Sequence, residues 1–216
     1  MPTVLVTAGP TREHLDDVRF LSNGSTGRMG YEIAAAARAA GCEVILVSGP
    51  TALQPPEGVT VVPVVSACEM LDACERVFAR CDLVFAVAAV ADHRPKVRTP
   101  GKPAKHDGPW TLELVPNPDV VATLARVKGR RFVVGFALEA AGTEPAEQIE
   151  RALAKLTRKN LDLIVLNEAT AMGGPRSTIT VLDGAGQRHA LPPQDKADSA
   201  RWLVEFALRR WRAGRQ

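Results

Sequence analysis

The feature that most limits how this chain folds is a set of short apolar runs with almost no polar interruption, at residues 4–6, 44–47, 59–64 and 83–87. A strand with one wet face alternates apolar and polar side chains. Strands rich in Val, Leu and Ile throughout are buried on both faces, as in a parallel sheet covered by helices. Between the runs the periodicity changes. Met29, Ile33, Ala36, Ala37 and Ala40 share one helical face, and Gly41 stops that helix. Ala67, Met70, Leu71, Cys74, Val77 and Phe78 form a second stripe. Alternating strands and helices with right-handed crossovers predict a doubly wound α/β layer.

The second half continues the pattern. Residues 132–136 and 163–166 read as strands, and Pro145 opens a helix carrying Ala146, Ile149, Leu153 and Leu156. Residues 178–182 and 187–191 flank Asp183-Gly184-Ala185-Gly186 as a C-terminal hairpin. Ala200, Leu203, Val204, Ala207, Leu208 and Trp211 mark a last amphipathic helix. Residues 1–216 are therefore expected to form one domain with a Rossmann-like, mostly parallel sheet of seven or eight strands and helices on both faces. The alternation breaks at residues 92–110, where Pro95, Pro100, Pro103, Pro109, Gly101 and Gly108 predict a long proline-rich arm without regular elements. Residues 111–115 then read as a strand. Asn117-Pro118-Asp119 reads as a helix start with Asn117 as the cap.

With 46% apolar and 24% charged residues in 216, the chain is neither disordered nor fibrous. Its longest uncharged apolar run, residues 83–91, falls far short of the ~20 residues of a membrane span. Met1-Pro2-Thr3-Val4 lacks a basic n-region, which predicts no signal peptide. Cys42, Cys68, Cys74 and Cys81 form no C-x-x-C pair and have no His at zinc spacing, so buried free thiols in a cytoplasmic protein are expected. The net charge of +3 is small, but its placement is uneven. Residues 94–105 hold Arg94, Lys96, Arg98, Lys102 and Lys105 with no acid, and residues 201–216 hold five Arg and one Glu. The second cluster backs an apolar helical stripe and reads as a solvated face. With few aromatics and little net charge, nucleic-acid binding is disfavoured.

In an open α/β sheet, ligands sit outside the carboxyl ends of the strands. Segments 7–30, 48–53, 88–105, 116–119, 136–140 and 167–176 lie there. Ser22-Asn23-Gly24-Ser25-Thr26-Gly27-Arg28-Met29-Gly30 enters the first helix with glycines that suit either an anion at the helix N-terminus or close packing on the sheet. No G-x-x-x-x-G-K-[ST] motif occurs. A nicotinamide-dependent short-chain dehydrogenase is disfavoured on two counts. The second strand ends in Ser48-Gly49-Pro50 rather than an acid for the ribose, and the only tyrosine, Tyr31, is followed four residues on by Ala35 instead of Lys. Asp92 at a strand end, followed by Lys102 and Lys105, suits a sugar hydroxyl and a polyphosphate, or a solvated loop. Lys155 and Lys159 share a helix face, as ligands or as complements of the helix dipole.

Taken in order, these residues resemble phosphopantothenate–cysteine ligase, the C-terminal half of a bifunctional coenzyme A biosynthesis flavoprotein in many bacteria. The likeness runs from Val6-Thr7-Ala8-Gly9-Pro10-Thr11-Arg12-Glu13 through Val18 to Gly30, Leu46 to Thr51, Ala88-Ala89-Val90-Ala91-Asp92, Asn117 to Val121, Val134-Gly135-Phe136-Ala137-Leu138-Glu139 and Lys155-x-x-x-Lys159-Asn160-Leu161-Asp162. It implies that a phosphopantothenate carboxylate attacks the α-phosphate of CTP, with Mg²⁺ on the nucleotide phosphates and no FMN in this chain. Cysteine then displaces CMP from the acyl-cytidylate. It assigns Asn23, Arg19 and Lys102 to the chemistry. It assigns Gly9, Ser25, Gly27, Ala89, Asp92, Lys102, Pro118, Asp119, Val120, Val121, Phe136, Lys155 and Lys159 to the nucleotide. It implies a homodimer with the arm reaching towards the partner, and a separate or fused decarboxylase. An ATP-using version and an inactive nucleotide-binding module are the alternatives. Four positions depart from the family pattern: Ala104 in the basic loop, Ala140, Ser177 and His14.

Overall fold

The computed structural model describes residues 1–105, 107–139, 142, 144–168, 174 and 176–214. In chain order its strands are β1 (Thr3–Ala8), β2 (Glu13–His14), β3 (Phe20–Leu21), β4 (Glu43–Ser48), β5 (Thr60–Pro63), β6 (Leu83–Ala86), β7 (His93–Pro95), β8 (Leu114–Pro116), β9 (Phe132–Glu139), β10 (Leu163–Glu168), β11 (Arg176–Ser177), β12 (Ile179–Asp183), β13 (Arg188–Ala190) and β14 (Gln194–Asp195). The helices are α1 (Arg28–Ala39), α2 (Ala67–Phe78), α3 (Val120–Arg126), α4 (Pro145–Arg158) and α5 (Lys196–Ala213).

Eight strands form one sheet in the order β13-β12-β10-β9-β6-β1-β4-β5. The six from β5 to β10 are parallel, and β12 and β13 add antiparallel at the far edge. The expected doubly wound sheet and terminal hairpin are both present. All six residues of β1 are buried, because helices cover both faces. On one face Val4, Val6, Leu46 and Phe85 pack under α1 and α5. On the other Leu5, Ile45, Val84 and Val133 pack under α2, α3 and α4.

Local chemistry sets the helix ends. Ser66 Oγ accepts from Glu69 N, and Glu69 Oε2 accepts from Val65 N, so α2 starts on a reciprocal cap. Its last carbonyls are closed by Arg131, which donates to Phe78 O and Ala79 O and lies over the Phe78 ring.

Three expectations need correction. Asp119, not Asn117, caps α3: its Oδ1 accepts from Ala122 N at 3.0 Å. A carboxylate suits the positive helix end better than an amide does. Asn117 is drawn to the strand end instead, donating through Nδ2 to Ala91 O and through its backbone N to Asp92 O. Second, the arm holds a regular element. β7 pairs antiparallel with β8, so the strand expected at 111–115 starts at Leu114. Pro95 and Pro116 fit because the ribbon has two strands and both are edges. Third, Cys42, Cys74 and Cys81 are buried, but Cys68 is only partly so. Burial pushes the Cys74 thiol up to about 12 and the Cys81 thiol up to about 11, which leaves both inert. The Ala140 position and Arg215 lie outside the described residues.

Candidate functional site

β1 and β6 are neighbours whose connections leave on opposite faces, through α1 to β4 and through the arm and α3 to β9. A crevice opens at such a switch point. Past the strands the backbones stay stitched: Ala89 N donates to Gly9 O at 3.0 Å and Thr11 N to Ala89 O at 3.1 Å. Gly9 and Gly27, with φ of 75° and 80°, lie against each other, and a Cβ on Gly27 would stand 3.1 Å from Gly9 Cα.

The glycine-rich loop is pinned over this floor. Ser22 Oγ donates to Thr11 O, Thr51 Oγ1 donates to Thr26 O, and Gly27 N donates to Ser25 Oγ. Asn23 Nδ2 donates to Ala89 O at 2.6 Å, while Asn23 Oδ1 accepts from Ser25 N at 3.1 Å. The amide thus bridges the loop to the end of the β6 connection, its orientation set by one acceptor and one donor. Its residue is exposed to solvent.

Below the loop lies a cavity of about 150 Å³, lined by residues 25–30, Val87, Ala88, Ala89, Phe136, Ala137, Leu138, Asn167 and Lys196. Of the residues assigned to a nucleotide by resemblance, Ser25, Gly27, Ala89 and Phe136 line it. Gly9 forms the floor under Gly27.

A second group gathers on the α3 and α4 side. Asn117 ties residues 91 and 92 to the start of α3, which places Asp92 beside Pro118 and Asp119. Lys159 reaches Asp119 at 2.8 Å. Val120 is buried, and Val121 and Lys155 are half-buried on the same two helices. Asp92 is exposed.

Lys102 and Arg19 are not among the cavity's lining residues. Lys102 and Lys105 are exposed on the arm, which docks on the 15–19 turn: Asp17 N donates to Gly101 O, Gly101 N donates to Asp17 Oδ2, and Arg98 pairs with Asp17 at 2.9 Å. Arg19 pairs with Asp16 at 2.6 Å and lies 4.5 Å from the centroid of Trp110, a residue of the arm.

Burial raises the Asp16 carboxyl pKa, but the backbone N–H groups of Arg19 and Val18 and the Arg19 guanidinium outweigh it and hold the value at about 2. Hydrogen bonding from Arg98 and Gly101 lowers that of Asp17.

Lys196, Asn167 and Arg28 line the cavity but carry no functional assignment from the sequence. For Lys196 a signal existed: a cation in the first turn of a helix opposes the macrodipole. Asn167 Oδ1 is buried without a hydrogen-bond partner. Among the described residues, no group of three or more His, Cys, Asp or Glu side chains is arranged to hold a metal, and no helix is long and apolar enough to cross a membrane.

Fold and site together define a doubly wound α/β protein with a glycine-lined crevice at the sheet's switch point. The family described as DNA/pantothenate metabolism flavoprotein C-terminal domain matches residues 2–209, and the chain belongs to it. The coenzyme A biosynthesis bifunctional protein CoaBC of Bacillus subtilis is 42% identical over 200 residues, covering 90% of this chain and 48% of that protein. A crystal structure of a CoaBC C-terminal domain is 40% identical, with a TM-score of 0.79 and coverage of 95% of this chain and 94% of that one. The DNA/pantothenate metabolism flavoprotein from Streptococcus pneumoniae, at 21% identity, shares the fold with a TM-score of 0.84 and coverage of 95% and 98%. The chain spans about half the length of the curated relatives it matches.

Proposed function

We propose that this chain joins 4′-phosphopantothenate to L-cysteine, consuming CTP and releasing pyrophosphate and then CMP. The observation that carries the reading is the bridging amide of Asn23, held between Ala89 O and Ser25 N, two residues that line the cavity. Family membership and relatives named for coenzyme A biosynthesis support it.

The chemistry needs no protein nucleophile. A substrate carboxylate attacks the α-phosphate of CTP and pyrophosphate leaves; Mg²⁺ bound with the nucleotide would supply charge neutralisation at its phosphates. The residues position and stabilise. Ser25, Gly27, Ala89 and Phe136 enclose the nucleotide, with Gly9 beneath. Asp92, Pro118, Asp119, Val120, Val121, Lys155 and Lys159 form its second wall. Lys102 swings in from the arm to the triphosphate, and Arg19 meets the pantothenate end. The Asn23 amide donates to the acyl oxygen as negative charge develops when the cysteine amine attacks.

Pyrophosphate release from CTP, followed with phosphopantothenate in the presence and absence of cysteine, tests the reading. Asn23→Ala is expected to release pyrophosphate once and stall, with amide formation slowed on the order of a hundredfold or more. Normal product formation by that variant removes Asn23 from the chemistry. No pyrophosphate from the unaltered protein leaves a nucleotide-binding module without catalysis. ATP in place of CTP, in the same assay, separates the two nucleotide choices.

A further inference from the structure

We infer that Thr11 is a positioning residue of the proposed ligase reaction: its hydroxyl frees the backbone acceptor on which the Asn23 loop lands, and so aims the Asn23 amide. This rests on the reading of Asn23 as the group that meets the acyl oxygen. It gives a role to a wholly buried residue that does not line the cavity.

β1 and β6 pair in parallel as far as Thr7 and Ala86, and one further bridge joins Pro10 to Ala89. There Ala89 N donates to Gly9 O, and Thr11 N donates to Ala89 O. In a continuing parallel ladder the next donor, Ala91 N, would turn to Thr11 O. It turns instead to the Thr11 hydroxyl, at 3.0 Å. A side-chain oxygen stands in for the main-chain carbonyl. The same exchange occurs one step earlier, where Thr7 Oγ1 accepts from Val87 N at 3.1 Å and Ala88 N at 3.2 Å.

The exchange has two consequences. The N–H groups of Val87, Ala88, Ala89 and Ala91 all find acceptors although the strand pair has ended. Thr11 O is also left for Ser22, whose Oγ donates to it at 2.7 Å. Ser22 precedes Asn23 in the chain, and Asn23 Nδ2 donates to Ala89 O, the carbonyl that Thr11 N already holds. Thr11 therefore fixes the Asn23 amide from both ends, the loop through Ser22 and the acceptor through Ala89. Its chain neighbours are committed elsewhere: Arg12 N donates to Val65 O, and Glu13 Oε1 accepts from Ala67 N. Without the hydroxyl, Ala91 N is drawn to Thr11 O, where Ser22 Oγ already sits. The loop or the strand end then shifts, and Asn23 shifts with it. Misalignment of a group that acts on a developing charge costs rate more than it costs ground-state binding.

The test follows a single turnover, reading pyrophosphate and the amide product separately, in the unaltered protein, Thr11→Val, Thr11→Ser and Ser22→Ala. Thr11→Val keeps the shape and the backbone bonds but removes the hydroxyl. It is expected to slow amide formation on the order of tenfold, less than Asn23→Ala does, with pyrophosphate release and CTP affinity within about twofold of the unaltered protein. Thr11→Ser keeps the hydroxyl and is expected to restore most of the rate. Ser22→Ala breaks the same link from an exposed residue and is expected to show the same selective loss. The double variant is expected to lose little more than either single one, because both act through one carbonyl. A lower melting temperature with both steps unaffected in the folded protein makes Thr11 structural and overturns the role. So do equal losses in the two steps, a Thr11→Ser variant as slow as Thr11→Val, or fully additive losses. Should Thr11→Val not fold, Ser22→Ala carries the decision. If the unaltered protein forms no product from CTP or ATP, the ligase reading falls. The NMR resonance of the Asn23 side-chain amide, identified by its loss in Asn23→Ala, then decides the positioning alone. A shift in Thr11→Val that Thr11→Ser reverses supports it, and an unmoved resonance overturns it.

Discussion

At the scale of single residues, the site depends on places where a side chain cannot be. A Cβ built on Gly49 would lie 2.0 Å from Pro10 O, and one on Gly9 2.9 Å from Gly49 O. Both neighbours are backbone, so neither yields by changing a rotamer. Gly49→Ala must therefore part the ends of β1 and β4, costing about 1–3 kcal/mol as overpacking does. Chemical unfolding is expected to show that loss, together with weaker CTP binding as Gly9 and Gly27 separate. Stability equal to that of the unaltered protein would mean that the segment 8–10 shifts freely. Gly41→Ala is the contrasting variant: Gly41 has φ 81° with nothing within 4 Å of a Cβ, so it reports backbone strain alone, whereas Gly49 is not at positive φ and its variant reports overpacking. In the sequence Gly9 and Gly49 were legible as strand-ending turns and Gly27 as part of a helix entry. Their mutual packing was not, because Gly9, Gly27 and Gly49 lie on three separate segments. Lys196 was missed for a related reason. The apolar stripe that marks α5 in the sequence begins only at Ala200, past the helix's first turn.

Among the elements, those buried on both sides were the most readable. β1, β4, β6, β9 and β10 carry their burial in composition, because both faces meet helices. The arm was the least readable. β7 finds its partner about twenty residues downstream in β8, and although a strand was legible at 111–115, the three residues of β7 are too few to show a period. What orders the base of the arm is the turn at residues 15–19. Asp16 Oδ1 accepts from Val18 N at 2.8 Å and Arg19 N at 2.7 Å, and Thr99 N donates to Leu15 O. The folded Asp16 value of about 2 lies below the ordinary 3.8, so the ionised form stabilises the turn. That contribution is complete above about pH 4 and is lost as the pH falls towards 2. A variant keeping Trp110 as its only tryptophan reports this directly, since Trp110 stacks on Arg19. Its emission is expected to shift between pH 4 and pH 2, and Asp16→Asn is expected to show the shifted emission already at pH 7. A titration centred well above pH 4 would assign the change to another group.

Across the whole molecule, the arm and the β2–β3 ribbon together present apolar surface that the fold itself does not cover. Val97 is 70% exposed, Val18 56%, Trp110 49%, Leu114 44% and Phe20 40%. These residues are linked by the contacts of Asp17 with Arg98 and Gly101 and of Arg19 with Trp110, so they move with one surface. An exposed cluster of that kind is characteristic of an interface, and it includes the arm and turn that carry Lys102 and Arg19, neither of which lines the cavity. A second copy of the chain docked on this surface would cover the apolar residues. It would also offer its own arm and its own Arg19 to the neighbouring cavity. Gel filtration is expected to give twice the mass of the 23.1 kDa chain. Val97→Asp changes a side chain that the fold leaves open, so it should fold normally, elute as a monomer and lose most of the proposed ligase activity. Elution of the unaltered protein at the mass of one chain removes the dimer. A monomeric Val97→Asp variant with full activity would show that each cavity is complete without its partner, and would return Arg19 and Lys102 to the subunit that carries them.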